Sequence, residues 1–207
     1  QYEKEKLAQH FEEWLQAPSE SADSSLILGN WHHIGPFAAA SYDLGFDVFP
    51  PELDTDLEKT YQDGKLAWKE QPEWKDGEAH NDKLEGDNSA HYLFRWIESS
   101  APRVVSLSLG SDDGIELWVN GRHLIENRDR RDGAAADQHN LTIQLAAGRN
   151  ALLMKIVNRN RKSGFYFQAT DGTEYAYAFL MNGLRGRIAR AKKLQDQMLE
   201  TMMRSAG

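Results

Sequence analysis

The sequence predicts a mainly β protein, an antiparallel β-sandwich, and three observations predict it. Apolar residues alternate at Val105, Leu107 and Leu109, again at Ile115, Leu117 and Val119, and again at Leu141, Ile143 and Leu145, the two-residue period of strands with one buried face. Corners rich in Gly, Asp and Asn separate these runs at spacings of roughly 8 to 15 residues, as in a sandwich rather than an α/β fold. Helical periodicity is confined to the two ends of the chain.

Each element follows from its local pattern. Leu7, Phe11, Trp14 and Leu15 form one stripe of an amphipathic helix that stops near Pro18. Ser19 to Ser25 reads as a linker, and Trp31 to Phe37 as a short strand running into a Gly-Pro turn. From Ala38 to Glu58, around Pro50-Pro51, the pattern is that of a long loop with one helical turn. Leu66 and Trp68 alternate in a strand, and an irregular section punctuated by Pro72, Gly77 and Gly86 follows. Ala90 to Ile97 carries bulky groups on both faces, as a strand in the middle of a sandwich does.

The stretch Val104 to Gly121 reads as a hairpin turning at Gly-Ser-Asp-Asp-Gly, continued through Asn120-Gly121 into a third strand of a meander. Leu141 to Leu145, Ala151 to Val157 and Gly164 to Gln168 supply the remaining strands. Leu184, Ile188, Ala191, Leu194, Met198 and Met202 step by three or four in a second amphipathic helix. The expected organisation is an N-terminal helix over 1–18, a sandwich domain over 24–180 and a C-terminal helix over 184–205.

Composition bounds the function. A chain of 207 residues with 40% hydrophobic content holds one sizeable core. The net charge of −8, with scattered basic residues, argues against a nucleic-acid surface. The absence of cysteine excludes disulfides, thiol catalysis and Cys-ligated zinc. No apolar run of about 18 residues spans a membrane. The start at Gln1 shows no signal peptide and reads as a cut within a longer chain; a periplasmic or extracellular location is expected.

At Leu109-Gly-Ser-Asp-Asp-Gly-Ile-Glu-Leu-Trp-Val-Asn-Gly121 the chain resembles two sugar-associated β-sandwich families. These are the galactose-binding-like jelly roll found beside glycoside hydrolase domains, and the protective-antigen-type domain of toxins, glycosidases and yeast flocculins. More widely, Ile34-Gly-Pro-Phe37, Leu109 to Gly121, Asn150 to Ile156 and Gly164 to Phe167 look like an uncharacterised sandwich domain of large planctomycete proteins that also carry cytochrome-type regions. Flocculin-like members hold calcium, which ligates sugar hydroxyls, on two adjacent Asp joined by a cis peptide. The resemblance implies Asp112 and Asp113 in that role, and calcium as the ion. Calcium takes six to eight hard oxygens, which paired carboxylates at a fixed corner help to supply. The simpler reading is that both Asp accept backbone N–H bonds in a tight turn.

Other candidates come from residue type and place. Trp74, Trp68 and Tyr42 lie in or beside loops and are the expected stacking platform for a pyranose, Trp74 foremost because its neighbours are polar. Trp31, Trp96 and Trp118 lie in strands and are expected in the core. Arg128, Arg130 and Arg131 could clamp a sulfate or carboxylate of an acidic polysaccharide, or simply pair with Asp129 and Asp132. His32 and His33 face opposite ways on a strand and cannot share an ion. The pairs Asp54/Asp56 and Glu70/Glu73 show nothing that marks a glycosidase acid and nucleophile.

The expected function is a non-catalytic carbohydrate-binding or accessory module of a larger exported protein, with a glycan and the neighbouring domains as partners. The alternative is a structural module that docks those domains and binds no small molecule. An enzyme ranks third.

Overall fold

A computed structural model of the chain describes residues 25–171. The helices expected over 1–18 and 184–205, and the domain limits that depend on them, lie outside the described residues. Strands follow in the order β1 (Leu26–Leu28), β2 (Trp31–Ala38), β3 (Thr60–Tyr61), β4 (Leu66–Ala67), β5 (Lys69–Gln71), β6 (Ala79–Glu85) and β7 (Ser89–Ser99). Then come β8 (Arg103–Asp112), β9 (Gly114–Val119), β10 (Arg122–Asn127), β11 (His139–Leu145), β12 (Gly148–Asn158) and β13 (Lys162–Asp171). A 3-10 turn (Asp43–Phe46) and one α-helical turn, α1 (Pro50–Leu53), interrupt the segment between β2 and β3. No helix among the described residues is long and apolar enough to cross a membrane.

The strands form an antiparallel β-sandwich. The larger sheet runs β10-β9-β12-β7-β2-β5, with β1 lying end to end with β2 along β7, so that Leu28 pairs with Ile97 and His32 with Phe94. The smaller runs β11-β8-β13-β6, and β3 and β4 make a separate two-stranded ribbon. Between the sheets the inward residues of each, among them Leu93, Leu117 and Met154 from one and Leu107, Leu109 and Phe167 from the other, fuse into one apolar cluster. Burial of such side chains contributes roughly 1.5–3 kcal/mol each.

The alternating pattern located the strands of the central stretch, but the three-strand meander expected there does not form. β8 belongs to the smaller sheet and β9 to the larger, so the Asp112-Asp113 corner carries the chain from one layer to the other and is no hairpin. The second turn is a hairpin: β9 and β10 pair, and Asn120 and Gly121 take φ of 51° and 75°, as a type I′ connection demands. Period-two alternation states which face of a strand is buried and is silent on which strand lies beside it. β6 is a strand missed in the irregular section. Its side chains are mostly polar, with His80 and Leu84 buried, because it is an edge strand paired on one side to β13.

β7 is buried on both faces, as its composition predicts. Tyr92 and Phe94 point away from the inter-sheet core into a second cluster with Ile34, Phe37, Trp68 and Leu153, against which Phe49, Leu57, Tyr61 and Leu66 pack. The segment over 39–68 is therefore a cover on the outer face of the larger sheet. Lys155, fully buried on β12, fastens it: its Nζ donates to the Asp47 carbonyl at 2.9 Å and to Glu52 Oε1 at 2.9 Å, and lies 3.3 Å from Glu116 Oε1. The Tyr92 hydroxyl donates to the same Glu52 oxygen. A charge among apolar neighbours persists only with partners of this kind.

Candidate functional site

Four connections cross between the sheets along one rim: 86–88 from β6 to β7, the Asp112-Asp113 corner from β8 to β9, 128–138 from β10 to β11, and 159–161 from β12 to β13. Register brings them together, since Gly164 of β13 stands opposite Asp112 and Val157 of β12 opposite Gly114. The two Asp are joined by a cis peptide bond.

Asp113 is the clasp. Its Oδ1 accepts the N–H of Arg131 at 3.1 Å and its Oδ2 the N–H of Arg159 at 2.9 Å, while its carbonyl accepts the Ser111 hydroxyl at 2.7 Å. Charge-assisted bonds to backbone N–H groups are the stronger kind, and these two bind separate connections to one carboxylate. Each connection is further tied. Asn88 N–H donates to the Arg159 carbonyl at 3.0 Å, Arg161 N–H to Asp87 Oδ1 at 2.8 Å, and Asn158 Nδ2 to the carbonyls of Gly86 and Arg161. Ser111 N–H donates to Gln138 Oε1 at 2.8 Å and Ala134 N–H to Asn81 Oδ1 at 2.9 Å.

Two glycines let these parts approach. A Cβ on Gly110 would stand 2.0 Å from the Ala135 carbonyl oxygen, and one on Gly114 would stand 2.3 Å from the Phe46 ring and 2.7 Å from the Tyr42 hydroxyl. Tyr42 donates that hydroxyl to the Arg128 carbonyl at 3.0 Å. Burial and the Asp113 carboxylate raise its phenol to about 12, so it stays a donor at neutral pH.

The connections border an open cavity of about 340 Å³. It is lined by the carboxylates of Asp82, Asp112, Asp113 and Asp132 together with Arg130, Arg131, Arg159, Asn160, Arg161 and Lys162. Partial burial, together with Asp113, Asp132 and Asp82, holds the Asp112 carboxyl above the usual carboxylate range, and a bond from the Gly133 backbone only partly offsets this. A cation here would relieve that repulsion, and carboxylate and carbonyl oxygens are the donors a hard divalent ion takes. Asp112 and Asp113 would hold it. Among the described residues, however, the trio whose ligating atoms all lie within 4.8 Å of one another is Glu116, His123 and Glu126, not the aspartates, so the remaining ligands of an ion at the corner would be carbonyl, water or ligand oxygens.

Asp112, Asp113, Arg130 and Arg131 from the expected set share this cavity, and Arg131 is engaged there with Asp129 at 3.0 Å and His139 at 2.7 Å. Arg128 does not join them: it pairs with Glu126 at 2.5 Å and lies over Phe46 at 4.4 Å. The expected aromatic platform is corrected as well. Trp74 is 8% exposed, Trp68 9% and Tyr42 5%, so none presents a ring face to a sugar. Trp74 sits in a polar stretch of sequence, yet its ring packs on His80 of the next strand and on Phe165 and His33, which strands distant in sequence bring to it. Trp31 is in the core as expected, whereas Trp96 and Trp118 are half-buried. His32 and His33 do diverge, His33 facing His91 at 3.0 Å. Asp82, Asp132, Arg159 and Arg161 were missed; the signal available for the last two was the density of cations in Arg159-Asn-Arg-Lys162 between two strands.

The fold and rim define the class, an antiparallel β-sandwich with a charged cavity at a sheet-crossing edge. No family model and no curated protein sequence matches the chain significantly. Among solved structures it is similar to the PA14 domain of the MpAFP antifreeze protein, with 14% identity and a TM-score of 0.32 over 46% of this chain and 50% of that one. It is similar also to a PA14 sugar-binding domain from an RTX adhesin, with 14% identity and a TM-score of 0.32 over 44% and 51%. A third is a β-glucosidase from Kluyveromyces marxianus, with 11% identity and a TM-score of 0.37 over 77% of this chain and 19% of the enzyme. The chain thus spans about half or less of each of these, and likeness at this level assigns neither activity nor ligand to it.

Proposed function

We propose that the rim cavity is a cation-dependent saccharide site and that this chain is a non-catalytic carbohydrate-binding module. One observation carries the reading: the Asp113 carboxylate ties the 128–138 and 159–161 connections to the Asp112-Asp113 corner, and Asp112 lines a cavity whose other carboxylates repel it. Calcium at this corner would be held by Asp112 and Asp113 and would leave coordination positions for vicinal sugar hydroxyls. The volume suits a sugar residue or two. Recognition rests on ion and polar contacts, not on stacking, since the candidate rings are buried.

The test is retention on a glycan array with calcium present and then chelated. Binding lost on chelation and lost in Asp112→Ala supports the reading; equal retention in both conditions removes the cation from it. A second reading, docking of neighbouring domains, draws on Leu44, Val48 and Leu53, exposed at 45%, 63% and 78% on the cover segment. Absence of retention on any glycan, with or without calcium, favours that one.

A further inference from the structure

The same cavity holds a second, opposite set of charges. Among the described residues the guanidinium groups of Arg130, Arg159 and Arg161 make no ion pair, although Asp82, Asp112 and Asp132 line the same space. The backbone of their connection is fixed: the N–H groups of Arg159 and Arg161 are donated to Asp113 Oδ2 and Asp87 Oδ1, which sets where the two side chains leave it. Arg130 is set over the Tyr42 ring at 5.3 Å. Carboxylates and unpaired guanidinium groups lining one cavity match a metal ion together with an anionic ligand: the ion on the carboxylates and the anionic group on the guanidinium groups. A neutral sugar would satisfy the first and leave the second with water alone, whereas a planar carboxylate or a sulfate is the partner a guanidinium fork binds in bidentate fashion.

Resting on the saccharide-site reading above, we propose that the ligand is an anionic saccharide, a uronate or a sulfated sugar, with its hydroxyls on the cation held by Asp112 and Asp113 and its acid group on Arg159, Arg161 and Arg130. The site is then a selectivity filter within a chain whose net charge of −8 would otherwise repel acidic glycans. Binding weakens as salt rises, since part of the attraction is between exposed charges.

The test uses the full chain and two matched pairs of probes, trigalacturonate against its fully methyl-esterified form and galactose 6-sulfate against galactose, all in calcium. Terbium luminescence reads the ion site separately. The expected result is retention of an acidic probe over its neutral counterpart by about ten-fold or more, with the difference abolished in Arg159→Gln/Arg161→Gln and terbium binding unchanged. Both side chains are exposed and keep their backbone bonds, so this variant retains the fold. Neutral probes binding as well as acidic ones overturn the anionic assignment and leave the saccharide site standing. Terbium binding without retention of any probe overturns the anionic assignment as well. Loss of both terbium and probe binding in the unsubstituted chain sinks the underlying reading itself.

Discussion

Asp113 Oδ2 accepts the backbone N–H of Arg159 at 2.9 Å across 46 residues of sequence, and through that bond the β8–β9 corner holds the β12–β13 connection. Its other oxygen holds the β10–β11 connection at Arg131. Asp113 is 6% exposed, and both bonds are part-buried. Asp113→Ala is expected to lower stability on the order of 3 kcal/mol, read as a shift in the denaturation midpoint, and to raise amide exchange at Arg131 and Arg159 together. Exchange that rises at one of them alone contradicts the shared clasp.

The neighbouring Asp112 behaves oppositely. Its carboxyl is held above the ordinary range by burial and three other aspartates, so the ionised form is disfavoured in the folded state. Stability from this group is therefore lost as pH rises through its folded value and recovered as pH falls below it. Asp112→Asn is expected to raise the melting temperature of the calcium-free protein at neutral pH while abolishing ion binding. A melting temperature that drops would show that the carboxylate supports the fold.

Lys155 ties the cover over 47–52 to the larger sheet through Glu52, Glu116 and the Asp47 carbonyl. Removing the cation alone strands two carboxylates among apolar groups. Lys155→Met is expected to cost about 3–5 kcal/mol, and the triple variant Lys155→Met/Glu52→Gln/Glu116→Gln to recover most of that. Chemical denaturation of the two variants measures it; equal losses would deny the coupling.

Acid sensitivity is expected from the histidine pair. Burial, with each ring beside the other, lowers His33 from 6.5 to about 3, and burial lowers His91 to about 4. Both are depressed bases, so the unfolded chain binds the extra protons first. Their contribution is complete above about pH 6.5 and falls as pH drops towards 4, by up to about 1.4 kcal/mol per pH unit for each proton. His33→Gln, whose amide can still bond His91 Nδ1, should flatten that slope in denaturation midpoints between pH 7 and 4.5. An unchanged slope would place the sensitivity elsewhere.

Much of the fold was legible in the sequence because alternation at residues such as Leu107, Leu109, Ile115 and Leu117 records a buried face directly. What alternation does not record is partnership. Ser111-Asp-Asp-Gly114 has the composition of a hairpin turn, and only the pairing of β8 with β13 and of β9 with β12 shows it to be a crossing. Trp68 and Trp74 read as exposed because their sequence neighbours are polar, while their spatial neighbours are Phe94 and Phe165. The acidic corner was visible as a motif, but its opposing cations come from Arg159 and Arg161, brought there by the β12–β13 connection. Lys155, a lone charge within Leu152 to Val157, was the unread sign of a buried ion network.

The central claim is an ion site at the β8–β9 corner, and calorimetric titration of the metal-free chain with calcium tests it most directly. The account predicts a single saturable binding event that stabilises the fold by mass action and disappears in Asp112→Asn. Absence of binding heat, or equal affinity in that variant, would contradict it.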